Sequence, residues 1–149
     1  MRNISCIFIF FLNCTWGIIQ SCLGFLLFLI FISKPHHWYK SSVVTVSAAY
    51  KSTKIKGGIS LGIFIFTTSN IEKDQIKTNS LIQHEYGHTL QSALLGPLFI
   101  PIVGLPSLIW AQFFATWRQK HSKDYYSFYT ESWADKWGKH NYISNGEKP

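Results

Sequence analysis

Two histidines and a glutamate in the segment HEYGH have the spacing that metal chemistry requires. The segment comprises His84, Glu85, Tyr86, Gly87 and His88. On a helix with about 3.6 residues per turn, side chains four positions apart lie on one face, so both imidazoles can bind one ion. Glu85 lies beside that face, where a carboxylate can take a proton from a water molecule that the metal activates. The segment therefore predicts a hydrolytic metal site; the alternative is two surface histidines on an amphipathic helix with Glu85 solvated.

The residues on either side of this segment predict the helix that it needs. Ser80 and Gln83 have the spacing of a capping box, which satisfies backbone donors at a helix start. Gly96 followed by Pro97 is a typical helix end, because glycine tolerates the left-handed conformation and proline cannot continue the helix. The prediction is a helix from Ser80 to Gly96 with the metal-binding segment in its middle.

A second group of acidic residues could complete a metal site. Catalytic zinc sites have three protein ligands and an open position for water. In the segment ESWAD, Glu131 and Asp135 are four positions apart and would share one face of a helix. The alternative interpretation of these two carboxylates is a solvated helix face.

The order HEYGH and then ESWAD resembles the HExxH…ExxAD pattern of gluzincin-type membrane metallopeptidases, which include the CAAX-processing and heat-shock membrane proteases. The resemblance implies that His84, His88 and Glu131 bind one Zn²⁺ ion. It also implies that Glu85 is the general base. Asp135 would hold a ligand histidine in place without itself binding the metal. The longer string, with GLPS between the two motifs, is also similar to small uncharacterised bacterial membrane proteins. The resemblance covers residues 57–138 at most.

Peptide hydrolysis would also require a donor for the negative charge that develops on the carbonyl oxygen. The aromatic and imidazole side chains around ESWAD offer several candidates, which are Tyr125, Tyr126, Tyr129, His121 and His140. The sequence does not select among them.

The composition favours a membrane protein. Of the 149 residues, 47% are hydrophobic and 14% are charged, whereas a soluble domain has about 25% charged residues. The net charge is +7, but the lysines flank apolar runs, so no nucleic-acid partner is predicted. The predicted partners are membrane lipid and a peptide or membrane-protein substrate. The three cysteines all lie in the first apolar run and indicate neither a disulfide framework nor a zinc ribbon.

The first apolar run predicts a transmembrane anchor over residues 1–33. Residues 4–33 carry no charged side chain, and about 20 such residues suffice to cross a bilayer as a helix. The span itself is predicted over residues 15–32. Lysines follow the span, beginning with Lys34 and Lys40. By the positive-inside rule they predict that the catalytic part is cytoplasmic. The resemblance to small bacterial membrane proteins implies that the membrane is a bacterial inner membrane.

A zincin-like, membrane-associated catalytic domain is predicted over residues 34–140, followed by a tail over 141–149. Its β-branched segments SVVTVSAAY and GGISLGIFIF predict two antiparallel strands. These strands form either a structural hairpin or an edge that binds an extended peptide. The apolar segment 94–117 is interrupted by three prolines. A full crossing there would separate Glu131 from the histidines by ~30 Å of hydrocarbon, so a re-entrant hairpin bent near GLPS is predicted.

The predicted fold class is thus an α+β membrane protein that is mainly helical. It combines one N-terminal transmembrane helix, a small antiparallel strand pair, a minimal zincin-like HExxH helix and a re-entrant apolar hairpin. The predicted function is that of a membrane-anchored zinc metallopeptidase. The alternative is a non-catalytic interaction or immunity-type membrane protein with a structural metal site. A transporter-like channel is a weaker alternative, because one or two spans form a pore only by oligomerising.

Overall fold

The protein has a small α+β fold, 69% helical, with a mixed four-stranded sheet. A computed structural model describes residues 4–47, 57–68 and 75–143. The helices are α1 (Ile4–Thr15), α2 (Ile18–Ile30), α3 (Gln75–Leu95), α4 (Leu105–Gln112), α5 (Ala115–Lys120) and α6 (Tyr129–Ile143). The strands are β1 (His36–Tyr39), β2 (Ser42–Ser47), β3 (Gly58–Leu61) and β4 (Phe64–Thr68).

The sheet has the strand order β1-β2-β4-β3, with β2 parallel to β4 and the two outer pairs antiparallel. The prediction of one antiparallel strand pair is therefore wrong. Gly62, with a φ of +61°, turns the second predicted strand back on itself and divides it into β3 and β4. A Cβ atom at Gly62 would also overlap Ser21 of α2, which explains why glycine is needed there. Strand β1 was not predicted, because its four residues, HHWY, are too few to show the alternation that identifies a strand.

The helix that carries HEYGH is longer than predicted at its start. Helix α3 already includes Gln75, five residues before Ser80, so the predicted capping box lies inside the helix and does not begin it. Its end is as predicted: α3 stops at Leu95, and Gly96 adopts a left-handed φ of +53°. The indole of Trp16 occupies the space that a Cβ atom at Gly96 would need.

The prediction of one N-terminal transmembrane helix is wrong. The apolar run forms two helices, α1 and α2, that meet at an angle of 90°. Within the described parts of the chain, no single helix is long and apolar enough to cross a membrane, although α1 and α2 together have the length and composition.

Buried polar side chains hold the N-terminal helices against α3. Asn13 Nδ2 donates to the carbonyl of Thr89 at 3.2 Å, and Ser92 Oγ donates to Asn13 Oδ1 at 2.6 Å. Gln20 Nε2 donates to Ser92 Oγ at 2.9 Å and to the carbonyl of Gly96 at 2.8 Å. Ser92 thus joins Asn13 of α1 and Gln20 of α2 to one point on α3, so tertiary contacts accompany the bend.

The second apolar run does not form the predicted hairpin bent near GLPS. A 3₁₀ turn (Gly96–Leu98) and a π-helical turn (Ile100–Gly104) lead into α4, and Gly104 itself has helical backbone angles. Pro106 lies in the first turn of α4, where its missing N–H costs no hydrogen bond. The helical conformation is instead interrupted at Phe113 and Phe114, between α4 and α5.

Close contact between α3 and α6 depends on two glycines. A Cβ atom at Gly87 would overlap the carbonyl of Ala134, and one at Gly138 would overlap the carbonyl of Gln83. We expect Gly87→Ala to lower the free energy of unfolding by at least about 1–3 kcal/mol, as overpacking does. Thermal unfolding measures this. The matched control is Gly104→Ala, whose Cβ atom meets Phe99 at 3.7 Å and should cost almost nothing. Equal stability of the two variants would contradict the packing.

Candidate metal centre

Helices α3 and α6 bring three possible metal ligands together. His84 Nε2 lies 3.1 Å from Glu131 Oε2, and His88 Nε2 lies 3.5 Å from the same oxygen. The three ligand atoms are all within 4.8 Å of one another, and the three residues are buried. This group could hold one metal ion, although the donor set alone does not identify the ion as zinc.

His88 is held in one orientation by Gln91, a residue that the sequence analysis missed. Gln91 Nε2 donates to the carbonyl of Thr130 at 3.0 Å, which turns Gln91 Oε1 toward His88 Nδ1 at 2.7 Å. A carbonyl oxygen only accepts, so Nδ1 carries the proton and Nε2 of the neutral ring presents its lone pair to the site. The spacing from His88 to Gln91, three residues along a helix, is the signal that could have identified it.

His84 has a less complete set of partners. Its Nδ1 is buried without a hydrogen bond to any described residue. Asp135 Oδ1 is 3.9 Å away, and Asp135 Oδ2 accepts a hydrogen bond from Lys139 at 2.7 Å. Asp135 thus faces His84 from beyond hydrogen-bonding distance. The ring of Tyr126 packs edge-on against the His84 imidazole, with the centroids 5.0 Å apart.

Glu131 is oriented by hydroxyl groups on its other oxygen. Ser107, the serine of GLPS, and Thr130 both donate to Glu131 Oε1, which leaves Oε2 for the imidazoles. Burial opposes ionisation of Glu131, but its hydrogen bonds with His84, His88 and Ser107 outweigh burial and hold its pKa well below the ordinary value. The sequence analysis assigned no role to Ser107, and this contact shows that it orients Glu131.

The charges of these groups fit a bound cation. Burial lowers the pKa of His88, but the hydrogen bond to Glu131 and the nearby carboxylates outweigh it, so the net shift is upward. Two imidazole nitrogens and one carboxylate oxygen therefore converge where a positive charge is favoured. A divalent cation bound there would meet that demand.

Glu85 lies on α3 beside the three possible ligands and against the edge strand β3. It is 5% exposed, and a Cβ atom at Gly58 would lie 2.7 Å from Glu85 Oε1. Burial raises the pKa of Glu85, while His84 and His88 oppose that rise. A carboxylate with a raised pKa is a better proton acceptor than one with the ordinary value.

The candidate donors for a carbonyl oxygen are not equivalent in the structure. Tyr126 is 42% exposed and lies directly on His84. Tyr125 is half-buried, and its pKa is raised by burial and then by the charges of Glu131 and Glu85. Tyr129 donates its hydroxyl proton to the carbonyl of Ile102 at 2.6 Å, so that donor is already used within the protein.

The two histidine candidates for this role do not join the site. His121 is exposed, stacks on Trp117 and pairs through Nδ1 with the Trp117 carbonyl at 2.9 Å. The side chain of His140 lies outside the described residues.

No protein-family model, curated protein or solved structure matches this chain. The resemblance of HEYGH and ESWAD to gluzincin-type metallopeptidases stays a prediction.

Gln91→Met is expected to weaken metal binding by about 10–100-fold, because it removes the acceptor that fixes the His88 ring. Competition with a chromophoric chelator measures the affinity. Asp135→Asn is the matched comparison and should cost less, since Asp135 is 3.9 Å from His84 and is paired with Lys139. A larger loss for Asp135→Asn than for Gln91→Met would contradict this ranking.

Proposed function

We propose that this protein is a zinc-dependent metallopeptidase that hydrolyses peptide bonds at or near a membrane. The observation that carries the proposal is the convergence of His84, His88 and Glu131 with the Glu85 carboxylate beside them. Two imidazoles and one carboxylate are a ligand set that catalytic zinc sites use, and they leave a position open for water. Zinc is proposed over other divalent ions because imidazole nitrogen suits zinc better than it suits magnesium or calcium.

The chain's own residues would divide the reaction among them. When bound, zinc would supply a Lewis acid that acidifies water and polarises the peptide carbonyl. Glu85 accepts the proton of the attacking water and returns it to the departing amine as the C–N bond breaks. Gln91 and Ser107 hold His88 and Glu131 in place, so little reorganisation is needed during the reaction.

The edge strand β3 supports a peptide as the substrate. Strand β3 is the last strand in the order β1-β2-β4-β3 and pairs only with β4 among the described strands. Its first residue, Gly58, lies against Glu85. An extended peptide that added to this edge would be held by backbone hydrogen bonds and would pass the carboxylate.

We assign Tyr126 as the hydrogen-bond donor to the carbonyl oxygen of the peptide bond that is cleaved. Tyr126→Phe is expected to lower kcat by about 10²–10³-fold with a smaller change in KM, because the oxygen becomes negative only in the transition state. Steady-state kinetics on one peptide separate the two parameters. Tyr129→Phe is the control, since the Tyr129 hydroxyl is bonded to the carbonyl of Ile102. Equal rates for the wild type and Tyr126→Phe would remove Tyr126 from the mechanism.

The proposal is tested by incubating the purified protein in detergent with a quenched fluorescent peptide library, before and after chelation. Hydrolysis is expected to stop when the metal is removed and to return when zinc is added. Zinc-loaded protein that cleaves no peptide would contradict the proposal.

The non-catalytic alternative is kept because one observation favours it. An ion bound by His84, His88 and Glu131 would join α3 to α6 and so stabilise the fold by itself. In that case chelation would lower the melting temperature, and Glu85→Gln would leave every function intact.

A further inference from the structure

The burial pattern of the N-terminal helices is the reverse of that in a water-soluble protein. The buried side chains of α1 and α2 are Asn13, Gln20 and Ser21, all polar. Many large apolar side chains point outward, with Phe11 63% exposed and Leu26 59% exposed, whereas Phe10 and Phe28 are partly buried against the core. Helices on the surface of a soluble protein bury their apolar face and solvate their polar face. The outer face of α1 and α2 therefore requires an apolar covering.

Helix α4 shows the same reversal beside the metal centre. Its inward residue, Ser107, donates to Glu131, whereas Leu105, Leu108 and Ile109 are exposed. An α-helix is about 10–12 Å across, so the exposed face of α4 lies about one helix diameter from the Glu131 carboxylate.

The two apolar surfaces meet at the bend between α1 and α2. Trp16, at that bend, donates from Nε1 to the carbonyl of Leu94 at 3.4 Å, and its ring packs against Gly96. Leu94 and Leu98, 58% and 55% exposed, continue the apolar surface toward α4. We call this set of exposed side chains, on α1, α2, residues 94–98 and α4, the outer apolar surface.

We propose that the outer apolar surface lies in the hydrocarbon of a lipid bilayer, with the metal centre at its margin. Soluble monomers rarely expose an apolar patch above a few hundred Å². The surface follows helices that meet at 90°, and fluid acyl chains cover such a shape without a complementary partner. Cations lie near it, with Lys34 after α2 and the exposed Lys120 in the last turn of α5. They would complement anionic headgroups.

The inference deepens the proposed function and rests on it only for the substrate. A peptidase site about one helix diameter from lipid hydrocarbon reaches polypeptide segments that are held at the membrane surface or emerge from it. The substrate class is therefore membrane-bound polypeptide.

Flotation with lipid vesicles tests the surface without any substrate. The full chain is purified in detergent and reconstituted with vesicles of equal parts phosphatidylcholine and phosphatidylglycerol. The wild type is expected to float with the vesicles. The double variant Phe11→Glu and Leu26→Glu is expected to lose association by about tenfold or more, because carboxylates are costly in hydrocarbon. The control adds the same two charges to exposed polar positions, as Asn79→Glu and Ser80→Glu, and should float like the wild type.

Three results would overturn the proposal. The wild type could remain out of the lipid fraction, the two double variants could float equally, or Phe11 and Leu26 could prove to be buried in a detergent-free dimer. If the lipid-facing variant loses its helical circular dichroism, the wild type is labelled instead with a lipid-dissolved diazirine. Label confined to residues 4–30 and 94–117 supports the proposal, and an even distribution overturns it. Because no hydrolysis is measured, failure here leaves the proposed peptidase activity intact.

Discussion

Replacing Glu85 by glutamine is expected to lower peptide turnover by about 10²–10⁴-fold, the range that general acid–base catalysis supplies. Glutamine has nearly the same shape but cannot accept the proton of the attacking water. Metal binding should survive, because the three possible ligands are His84, His88 and Glu131. Single-turnover kinetics and metal analysis by mass spectrometry on the same preparation measure both quantities.

Misfolding is not expected to explain that loss. Burial raises the pKa of Glu85, which shows that its ionised form is disfavoured at this position. A neutral glutamine should therefore leave the melting temperature unchanged or raise it. Asp124→Asn serves as a control for loss of a carboxylate, since Asp124 is exposed. Retained turnover in Glu85→Gln would exclude Glu85 as the base and favour the non-catalytic alternative.

Removing a ligand is expected to cause a large loss of metal binding. Glu131→Gln should weaken metal binding by more than about 100-fold, since changes outside the ligands already cost about 10–100-fold. The same change replaces the acceptor that Ser107 and Thr130 use with a neutral oxygen. Metal content after dialysis against a weak chelator measures the loss, and His84→Ala should behave likewise.

His121→Ala is the matched control for loss of a histidine. His121 is exposed at the end of α5, and its imidazole pairs with the Trp117 carbonyl. The His121→Ala variant should keep one equivalent of metal. Full metal content in Glu131→Gln would show that α6 supplies no ligand, and the proposed ligand set would then be incomplete.

Local periodicity was enough to predict which residues could face one another on each helix. Four-residue spacing places His84 over His88 and Glu131 over Asp135, whatever the rest of the chain does. It could not show that Asp135 stays 3.9 Å from His84. It also could not identify Ser107, because that contact depends on how α4 packs on α6.

The N-terminal run could not be predicted correctly from hydropathy. An average over a long window hides the polar residues Asn13, Gln20 and Ser21 among many apolar ones, and it contains no information on their partners. Asn13 and Gln20 bond to α3, more than 70 residues away in sequence, and these bonds accompany the bend. The sheet was mispredicted because Gly62 was placed inside one continuous strand, whereas its positive φ and the close approach of Ser21 make it a turn.

X-ray absorption at the zinc edge of the purified, zinc-loaded wild type tests most directly whether α3 and α6 share one ion. The expected spectrum has two imidazole nitrogens at about 2.0–2.1 Å, with the remaining ligands oxygen at about 2.0–2.2 Å. A zinc ion without imidazole scattering, or one with sulfur at about 2.3 Å, would place the metal elsewhere in the protein and contradict the site formed by His84, His88 and Glu131.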